Sequence, residues 1–385
     1  MKHYALLAIS CILALGVIGC DKTPKGDASL TGEKVTVGDP RDSYTNLYIL
    51  SEGLMGSNNA SLDFFNPGSG LYVRNAFGQA NPNFSLGDTA NDVIAVGDEL
   101  WIAVNGSDLI EVVDAITLVH KASIAVSSPR FMATDGKNVY VTSYNGAYSN
   151  YSDPTDYKNP KGAVFKINIA SRTVTGLVEV GYQPEGVAIT GKKLYVANSG
   201  GISSILPPNY SYDDTISEIN PETLTITSTL TSVINVKELF IDSSGTIWIH
   251  TLGNYSDVHS GLYRMTPEGA ERLTAGDSNL NVSIIWKDGD DFWIVGTEDE
   301  FDWNKPDKVY YTYKISGGIA TKVNVQIGAA SPYGIAVDPD TKDLFITDGP
   351  YGGSLGTIFC YGKADDYSLS WSCTSGVNPG HFLFL

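Results

Sequence analysis

A short phrase of apolar and aromatic residues recurs along the chain and predicts its strands. The phrase is a tight turn followed by an apolar–aromatic–apolar triplet, and a clear copy runs from Gly191 to Asn198. Its seven triplets are Leu47-Tyr48-Ile49, Leu100-Trp101-Ile102, Val139-Tyr140-Val141, Leu194-Tyr195-Val196, Ile247-Trp248-Ile249, Phe292-Trp293-Ile294 and Leu344-Phe345-Ile346. A repeat of roughly 40–50 residues is typical of four-stranded propeller blades.

Each repeat predicts four strands in a fixed order. An apolar inner strand, such as Gly186-Val187-Ala188, precedes the triplet and is expected to be small because inner strands crowd around a central axis. The aromatic triplet forms the second strand, and its rings should fill the gap between neighbouring sheets. An alternating third strand and a polar, Thr-rich outer strand follow, as expected at an edge that faces water.

The C-terminal segment is predicted to supply the strand that the first repeat lacks. The first repeat, residues 47–77, lacks an inner strand, whereas His381 to Leu385 form an apolar strand without a repeat of their own. Pairing between these segments would close the ring and remove exposed sheet edges. We therefore predict an all-β fold: a seven-bladed β-propeller of four-stranded antiparallel blades over residues 46–385, closed by the C-terminal strand.

The N-terminal residues predict an exported chain. Lys2 and His3 precede an apolar run from Ala5 to Ile18, which is typical of a secretory signal peptide. The run ends in Val17-Ile18-Gly19-Cys20, which resembles the bacterial lipobox. This resemblance implies a lipoprotein signal peptide over residues 1–19 and lipidation of Cys20. Residues 20–45 are polar and predict a flexible tether.

Charge and cysteine content narrow the class of partner. The formal net charge of -18 argues against nucleic acid as the main partner, because a phosphate backbone would be repelled. Once a signal peptide is removed and Cys20 is lipidated, Cys360 and Cys373 remain. A symmetric hairpin turn would place Cys360 opposite Ser368 rather than Cys373, so two free thiols are expected.

The predicted loops are long on one face only. In an up-and-down blade, the loops between second and third strands and the crossovers between blades share a face, and insertions occur there: Tyr144 to Pro160, Asn198 to Asp213, Leu252 to Ser260, Thr297 to Asp307 and Gly349 to Leu355. These loops are rich in Tyr, Trp and Asn, which give contact area and hydrogen bonds at low entropic cost. Loops on a rigid scaffold are where binding residues accumulate.

We therefore predict a ligand site on this face, formed by loop residues and by residues that converge on the axial mouth. The predicted ligand-binding residues are Asn91, Arg130, Tyr144, Tyr182, Glu185, Asn198, Lys237, Trp303, Tyr333, Asp348, Tyr351 and His381. Any single loop tyrosine could instead pack against neighbouring loops.

Catalytic and metal-binding motifs are absent from the sequence. His120, His250, His259 and His381 have no metal-ligand spacing, and His250 is expected to pack between blades. No nucleophile elbow or P-loop occurs. We predict a protein that is not an enzyme and that has no metal, no catalytic residues and no cofactor.

The repeat resembles a known family. Lys193-Leu194-Tyr195-Val196-Ala197-Asn198, with Ile216 to Ile219 and Asn220-Pro221-Glu222-Thr223, is similar to the YVTN propeller repeat. With the lipobox, the chain resembles the YncE-like surface lipoproteins of Bacteroidota and, among them, the cobalamin-binding BtuG type. The resemblance implies capture of cobalamin or another corrinoid and its transfer to a TonB-dependent outer-membrane transporter. It also implies a lipid-anchored protein on the cell surface, with the periplasmic side as the alternative.

Two other classes of function remain open at this point. A propeller-type glycan lyase or hydrolase would use Glu185, Arg130 and His381 at the axis, although acid–base chemistry needs groups paired across the mouth. An adhesion or scaffold protein would use the same loops against a protein surface. The aromatic and amide-rich face fits a corrinoid best, because that ligand combines wide apolar area with many neutral amides.

Overall fold

The computed structural model describes residues 30–37, 45–145, 161–200, 212–276, 278–297 and 308–385. Within these ranges the chain forms seven antiparallel sheets of four or five strands; six consist of four consecutive strands, and the seventh combines a C-terminal strand with the first strands of the chain. The sheets form a ring of blades, which confirms the predicted seven-bladed propeller.

Each blade contributes its first strand to the axis and its fourth to the rim. From axis to rim, blade 1 is Pro379–Phe384, Leu47–Ser51, Ser61–Asn66 and Leu71–Val73; blade 2 is Ala90–Val96, Glu99–Val104, Leu109–Asp114 and His120–Ala125. Blade 3 is Pro129–Thr134, Asn138–Ser143, Ala163–Asn168 and Thr173–Glu179; blade 4 is Pro184–Thr190, Lys193–Asn198, Thr215–Asn220 and Thr225–Thr231. Blade 5 is Val236–Ile241, Ile247–Thr251, Gly261–Thr266 and Gly269–Arg272; blade 6 is Asn281–Asp288, Asp291–Thr297, Tyr311–Ser316 and Ile319–Val323. Blade 7 is Pro332–Val337, Leu344–Asp348, Leu355–Gly362 and Ser368–Val377.

Few other elements interrupt the blades. A short helix, Ala76–Ala80, lies in the crossover from blade 1 to blade 2, and a small hairpin of Thr274–Ala275 and Ser278–Asn279 lies between blades 5 and 6. Single 3₁₀ turns occupy Asn105–Ser107 and Lys363–Asp365. Among the described residues, no helix has the length and apolar character needed to cross a membrane.

The C-terminal strand closes the ring, as the sequence predicts. Pro379–Phe384 pairs antiparallel with Leu47–Ser51. Beyond the strand end, Asn46 and Leu385 exchange two main-chain hydrogen bonds of 2.9 and 3.0 Å. The inner edge of blade 1 is therefore paired rather than exposed.

The aromatic second strands fill the gaps between blades, which is also as predicted. Trp101 of blade 2 is fully buried, and it shares a core cluster with Val139 and Ile167 of blade 3. Tyr140 and Phe345 are buried in the same way in other blades. Removing such a ring from a core typically costs about 3–5 kcal/mol.

The inner strands differ from the sequence-based prediction. They were expected to be small and apolar, but Phe131, Phe240, Trp286 and Phe382 are inner-strand residues that line a cavity on the axis. A ring of seven blades leaves more space at its centre than the inner backbones fill, so large side chains fit there.

The two faces of the propeller have different connections. The turn face carries the short turns between first and second strands and between third and fourth strands. The loop face carries the loops between second and third strands and the crossovers between blades. Three of the five insertions that the sequence places on the loop face include residues outside the described ranges, namely 146–160, 201–211 and 298–307.

The segment before blade 1 contacts the propeller. Glu33–Lys34 pairs with the outermost strand of blade 1, and the amide of Val35 donates to the carbonyl of Gly70. Thr31 also donates its amide to the side-chain oxygen of Gln79, at 2.8 Å. Part of residues 30–37 is therefore bound to blade 1, whereas the tether over residues 20–45 stays a prediction; Cys20 lies outside the described residues.

The two remaining cysteines are free thiols, as expected. Cys360 and Cys373 are both buried on neighbouring strands of blade 7. Cys360 lies opposite Trp371, and Cys373 lies opposite Ile358. The hairpin is therefore longer than the sequence suggested, because Gly362 rather than Cys360 faces Ser368.

Candidate ligand-binding site

Every inner strand contains a β-bulge near the loop face. In each blade, the pairing register between the inner and second strands shifts at one place. The extra residues are Asn91, Arg130 with Phe131, Glu185 with Gly186, Lys237, Ser283, Tyr333 and Gly380. Bulges redirect side chains next to binding sites, and here Lys237, Ser283, Tyr333 and Gly380 line a cavity at the axial mouth.

Left-handed backbone positions precede most of these bulges. Five residues, each two positions before a bulge, have positive φ angles between 40° and 56°: Thr89, Ser128, Gln183, Asn235 and Asn378. Positive φ is uncommon outside glycine. Its recurrence at one repeat position shows that the crossovers enter the inner strands through a shared backbone turn.

Arg130 is the centre of a buried polar cluster. Its Nε and Nη2 atoms both lie 2.9 Å from Glu185 Oε2, and its Nη1 atom donates to Asn91 Oδ1 at 2.7 Å. Its guanidinium group also lies 4.9 Å from the centre of the Tyr144 ring. The Tyr144 hydroxyl donates to the other oxygen of Glu185. All four of these predicted residues are thus in contact.

The neighbours of Arg130 keep its guanidinium group protonated. Burial alone would lower the pKa of Arg130, but the charge and hydrogen bond of Glu185, together with Tyr144 and Glu52, raise the pKa above its ordinary value. Only 18% of the Arg130 side-chain surface and 12% of the Glu185 side-chain surface are exposed. The cluster is therefore a fixed ion pair at one side of the mouth.

A second cluster surrounds Glu52. The Tyr333 hydroxyl donates to Glu52 Oε2 at 2.8 Å, and His381 Nε2 lies 3.1 Å from Glu52 Oε1. Burial would raise the pKa of Glu52, but the hydrogen bond with His381 and the positive charges of His381 and Lys237 lower it below its ordinary value. Glu52 therefore stays ionised at neutral pH and contacts two predicted residues, Tyr333 and His381.

Glu238 and His250 form a third contact near the axis. The fully buried His250 lies with Nδ1 at 2.6 Å from Glu238 Oε2 and with Nε2 at 3.3 Å from the Val282 carbonyl. The carbonyl and the carboxylate both only accept hydrogen bonds, so a ring nitrogen that carries a proton donates it to its partner. His250 is thus a packed residue between blades, as predicted, and it orients Glu238.

Asp92 is held by the main chain. Its carboxylate accepts the amides of Met132 at 2.7 Å and Val93 at 2.9 Å. Burial raises the pKa of Asp92 to about 6, although the charge of His381 and the two amides oppose that shift. Asp92 is therefore largely ionised at neutral pH.

A cavity of about 420 Å³ lies at the axial mouth. It is lined by polar groups, among them Glu52, Lys237, Glu238, Tyr333 and His381, and by the ring of Tyr255. Its size lies within the range of about 300–1,000 Å³ that is usual for small-molecule sites. The mouth of the ring is thus a preformed concave site with fixed charges.

The other predicted residues lie elsewhere. Asn198 is 1% exposed, and its side chain binds the Gly181 amide and the hydroxyls of Thr215 and Ser217, so it has a structural role rather than the predicted ligand contact. Asp348 accepts the Ser331 amide at 2.6 Å. Tyr182 is half-buried in the crossover to blade 4, Tyr351 is fully exposed in a loop of blade 7, and Trp303 lies outside the described residues.

Sequence reasoning missed Glu52, Asp92 and Glu238. Asp92 and Glu238 occupy the same repeat position as His381, directly after the bulge, so the aligned repeats contained a signal for them. Glu52 directly follows the second strand of blade 1, just as Tyr144 follows the second strand of blade 3. Within the described ranges, His, Cys, Asp and Glu side chains form no group of three that could hold a metal ion.

Comparisons with known proteins address the fold and the family. The model of the family described as a domain of unknown function, DUF5074, matches residues 45–356, which is most of the chain. No curated protein matches the sequence. The family match and the propeller neighbours support membership of a propeller family, but not the YncE-like or BtuG type in particular.

Solved structures with similar folds include several bacterial propellers. A proposed 6-phosphogluconolactonase from Bacteroides fragilis is 15% identical, with a TM-score of 0.59, over 90% of this chain and 100% of that one. A quinonprotein alcohol dehydrogenase-like protein from Bacteroides thetaiotaomicron is 13% identical, with a TM-score of 0.56, over 87% of this chain and 77% of that one. Hydrazine synthase from Kuenenia stuttgartiensis is 18% identical, with a TM-score of 0.54, over 74% of this chain and 86% of that one. At these identities the similarity shows the fold alone.

Proposed function

This chain belongs to the DUF5074 family, and we propose that it is a binding protein that captures a bulky small molecule at the loop face, with a corrinoid such as cobalamin as the first candidate. The observation that carries the proposal is the preformed mouth. Bulged strands of blades 1, 5, 6 and 7 line its cavity, and the Tyr333 hydroxyl of blade 7 is bound to Glu52 of blade 1. A ligand that binds such a site loses little free energy in ordering it.

The groups at the mouth suit a ligand edged with neutral amides. Glu52 and Glu238 offer carboxylate acceptors, whereas Lys237 offers an ammonium donor. Amides can donate to the first two groups and accept from the third. Mixed donors and acceptors of this kind favour a neutral polar ligand over a strongly charged one.

Exposed aromatic rings at the loop face supply apolar contact area. Tyr255 is 51% exposed beside the mouth, and Tyr351 is fully exposed in a loop of blade 7. A macrocycle is too large for a 420 Å³ cavity, so it would cover the mouth and rest on such rings. Capture from dilute solution needs about nanomolar affinity, near -12 kcal/mol.

The proposed route is delivery to a TonB-dependent outer-membrane transporter. It relies on lipidation of Cys20, which would anchor the protein in the outer membrane, on the cell surface or on the periplasmic side. The pairing of Glu33–Lys34 with the outer strand of blade 1 supports this geometry, since an anchor joined at that edge leaves the axial mouth unobstructed.

The glycan lyase or hydrolase alternative gains no support from the mouth. Both oxygens of Glu185 are already bound, one by Arg130 and the other by Tyr144. His381 is bound to Glu52. Groups held in this way bind and orient well, but an acid–base catalyst needs a free position toward substrate. The adhesion or scaffold alternative is one outcome of the experiment below.

Calorimetric titration of the purified protein with cyanocobalamin tests the proposal. We expect saturable binding at micromolar protein, and we expect Tyr255→Ala and Tyr351→Ala each to weaken it about tenfold, because each removes an exposed ring. Leu369→Ala is the matched control, because Leu369 is 55% exposed on the outermost strand of blade 7. Absence of heat and of co-elution for folded protein would overturn the corrinoid proposal and leave the scaffold alternative.

A further inference from the structure

A second cavity lies deeper along the axis, below the mouth. Its volume is about 250 Å³, and residues from all seven inner strands line it. It shares Glu238, Ile285, Ile335, Gly380 and His381 with the lining of the mouth cavity. The two cavities are therefore successive parts of one channel, and the level of Glu238 and His381 is its waist.

The walls of the deeper cavity are mainly apolar, and three phenylalanines and one tryptophan are among the residues that line it. Phe131 of blade 3 and Trp286 of blade 6 lie on opposite sides of the ring, and Phe240 and Phe382 also line the cavity. Phe382 packs edge-on against Trp286, with ring centres 6.4 Å apart. A preformed apolar pocket with few polar groups is the usual form of a small-molecule site.

Carboxylates dominate the waist above these rings. Asp92 of blade 2 and Glu238 of blade 5 line the deeper cavity, and each is close enough for its charge to act on the other. Glu238 is paired with His250, and His381 is paired with Glu52. Asp92 differs from these carboxylates, because it accepts its two hydrogen bonds from main-chain amides. A cation placed here would pair with a carboxylate that has no ion pair of its own within the described residues.

The positive charge at the far end is directed away from the cavity. Lys287 lines the deeper cavity, but its ammonium group donates to the Gly289 carbonyl in the turn beyond. The channel therefore has carboxylates at its waist and aromatic rings among the apolar walls below. Aromatic faces also attract cations, so both features favour the same ligand charge.

We propose that the deeper cavity is a separate binding site for a small aromatic amine, with its ammonium group at Asp92 and its ring among Phe131, Phe240 and Trp286. The site goes beyond the proposed corrinoid capture, because it is a different cavity and takes a different ligand class. Its volume is below the range of about 300–1,000 Å³ that is usual for drug-sized ligands, so it takes one ring with a short arm.

The probes are 2-phenylethylamine, its neutral analogue 2-phenylethanol and the anion 3-phenylpropionate, titrated at pH 7.5 into the protein labelled with 5-fluorotryptophan. We expect the amine to bind at least tenfold more tightly than the alcohol, and the anion not to bind. The chain has six tryptophans, and we expect amine binding to shift the fluorine signal of Trp286. The signal that is missing from the spectrum of Trp286→Phe belongs to Trp286.

Two variants test the two halves of the site. Asp92→Asn should remove the tenfold preference for the amine, whereas Asp98→Asn, an exposed aspartate at the turn end of the same hairpin, should leave it unchanged. Val187→Phe places a ring in the cavity lining and should abolish binding of both 2-phenylethylamine and 2-phenylethanol. Ile319→Phe, at an exposed position on the outermost strand of blade 6, is its control.

Several results would overturn the proposal. Equal affinity for amine and alcohol, an unchanged preference in folded Asp92→Asn, or a fluorine shift at a tryptophan other than Trp286 would each do so. Binding that survives in folded Val187→Phe would also contradict it. None of these results depends on whether cyanocobalamin binds, so the two proposals can fail separately.

Discussion

The turn face and the loop face satisfy their polar groups in different ways. On the turn face, Asp114 accepts the amides of residues two and three positions later, and Asp135 does the same. On the loop face, Arg130 binds Glu185 across 55 positions, and Glu52 binds His381 across 329. These turn-face contacts lie within single turns, whereas these loop-face contacts join neighbouring blades or the two ends of the chain.

The difference has a consequence for function. Local caps fix a turn without regard to its neighbours, so the turn face is stable but presents little that a ligand could use. Contacts between blades fix charged side chains around the mouth, which is what a binding site requires. The following substitutions test this contrast, in order of expected effect.

Breaking the buried ion pair of the loop face should have the largest effect. Arg130→Met leaves the Glu185 carboxylate without its cation, and we expect a loss of about 3 kcal/mol in the free energy of unfolding. Lys193→Met is the control, because Lys193 and Glu218 form an ion pair of 2.9 Å near the turn face with 55% of the lysine side chain exposed. It should cost much less than Arg130→Met, because water screens an exposed pair. Equal losses in urea denaturation would contradict the contrast.

Two glycines of one hairpin should differ for a steric reason. A Cβ atom at Gly186, next to the mouth, would lie 2.7 Å from the Leu239 amide nitrogen of the next blade. At Gly191, on the turn face, it would meet nothing within 4 Å, but φ is +55°. We expect Gly186→Ala to cost about 2–3 kcal/mol through overpacking and Gly191→Ala about 1 kcal/mol through backbone strain. Thermal unfolding of both variants measures this, and a larger loss at Gly191 would refute the explanation.

A single cap on the turn face should have an intermediate effect that depends on pH. Asp242 accepts hydrogen bonds from Ser244, Thr246 and the indole of Trp248. Burial opposes these bonds, but together they lower the pKa of Asp242 to about 2. We expect Asp242→Ala to lose about 1–2 kcal/mol at pH 6, because several donors lose their acceptor.

The pH dependence of that loss follows from the direction of the pKa shift. The stabilisation is complete above the unfolded pKa of about 4 and disappears as the pH falls toward 2. The difference between wild type and Asp242→Ala in urea denaturation should therefore shrink over that interval. A difference that stays constant from pH 5 to pH 2.5 would show that the cap does not act through its charge.

An exposed ring on the loop face should have the smallest effect on stability. Tyr351 is fully exposed, so Tyr351→Ala should change the free energy of unfolding by less than about 0.5 kcal/mol. Its effect on cyanocobalamin capture would then report binding rather than folding. A loss above 1 kcal/mol would show that the residue has a structural role in its loop.

The fold could be predicted because its signals are local. Leu100-Trp101-Ile102 and its equivalents mark the second strands directly, and the orphan strand at the C-terminus marks the closure. The inner strands were harder to predict, because the width of the channel depends on the whole ring. Nothing near Phe131 or Trp286 in the sequence shows how much space lies on the axis.

The site could be predicted in part. The position before the inner strand pointed to Arg130, Glu185, Lys237 and Tyr333, and the bulges explain why that position reaches the mouth. Partners could not be predicted, because they lie in different blades. Tyr144 was expected to face a ligand but is 5% exposed, since Arg130 and Glu185 cover it. The Asn198 amide caps main-chain and hydroxyl groups instead of a ligand.

The two ends of the described chain attach to opposite edges of blade 1, and this determines how the protein responds to a pulling force. A force applied at residue 30 acts first on Glu33–Lys34, a strand of two residues that can peel away one hydrogen bond at a time. The C-terminal strand pairs with Leu47–Ser51 on the inner edge of the same blade and does not carry that load directly. Tension on the N-terminal segment would thus lengthen the connection by several residues before it strained the ring.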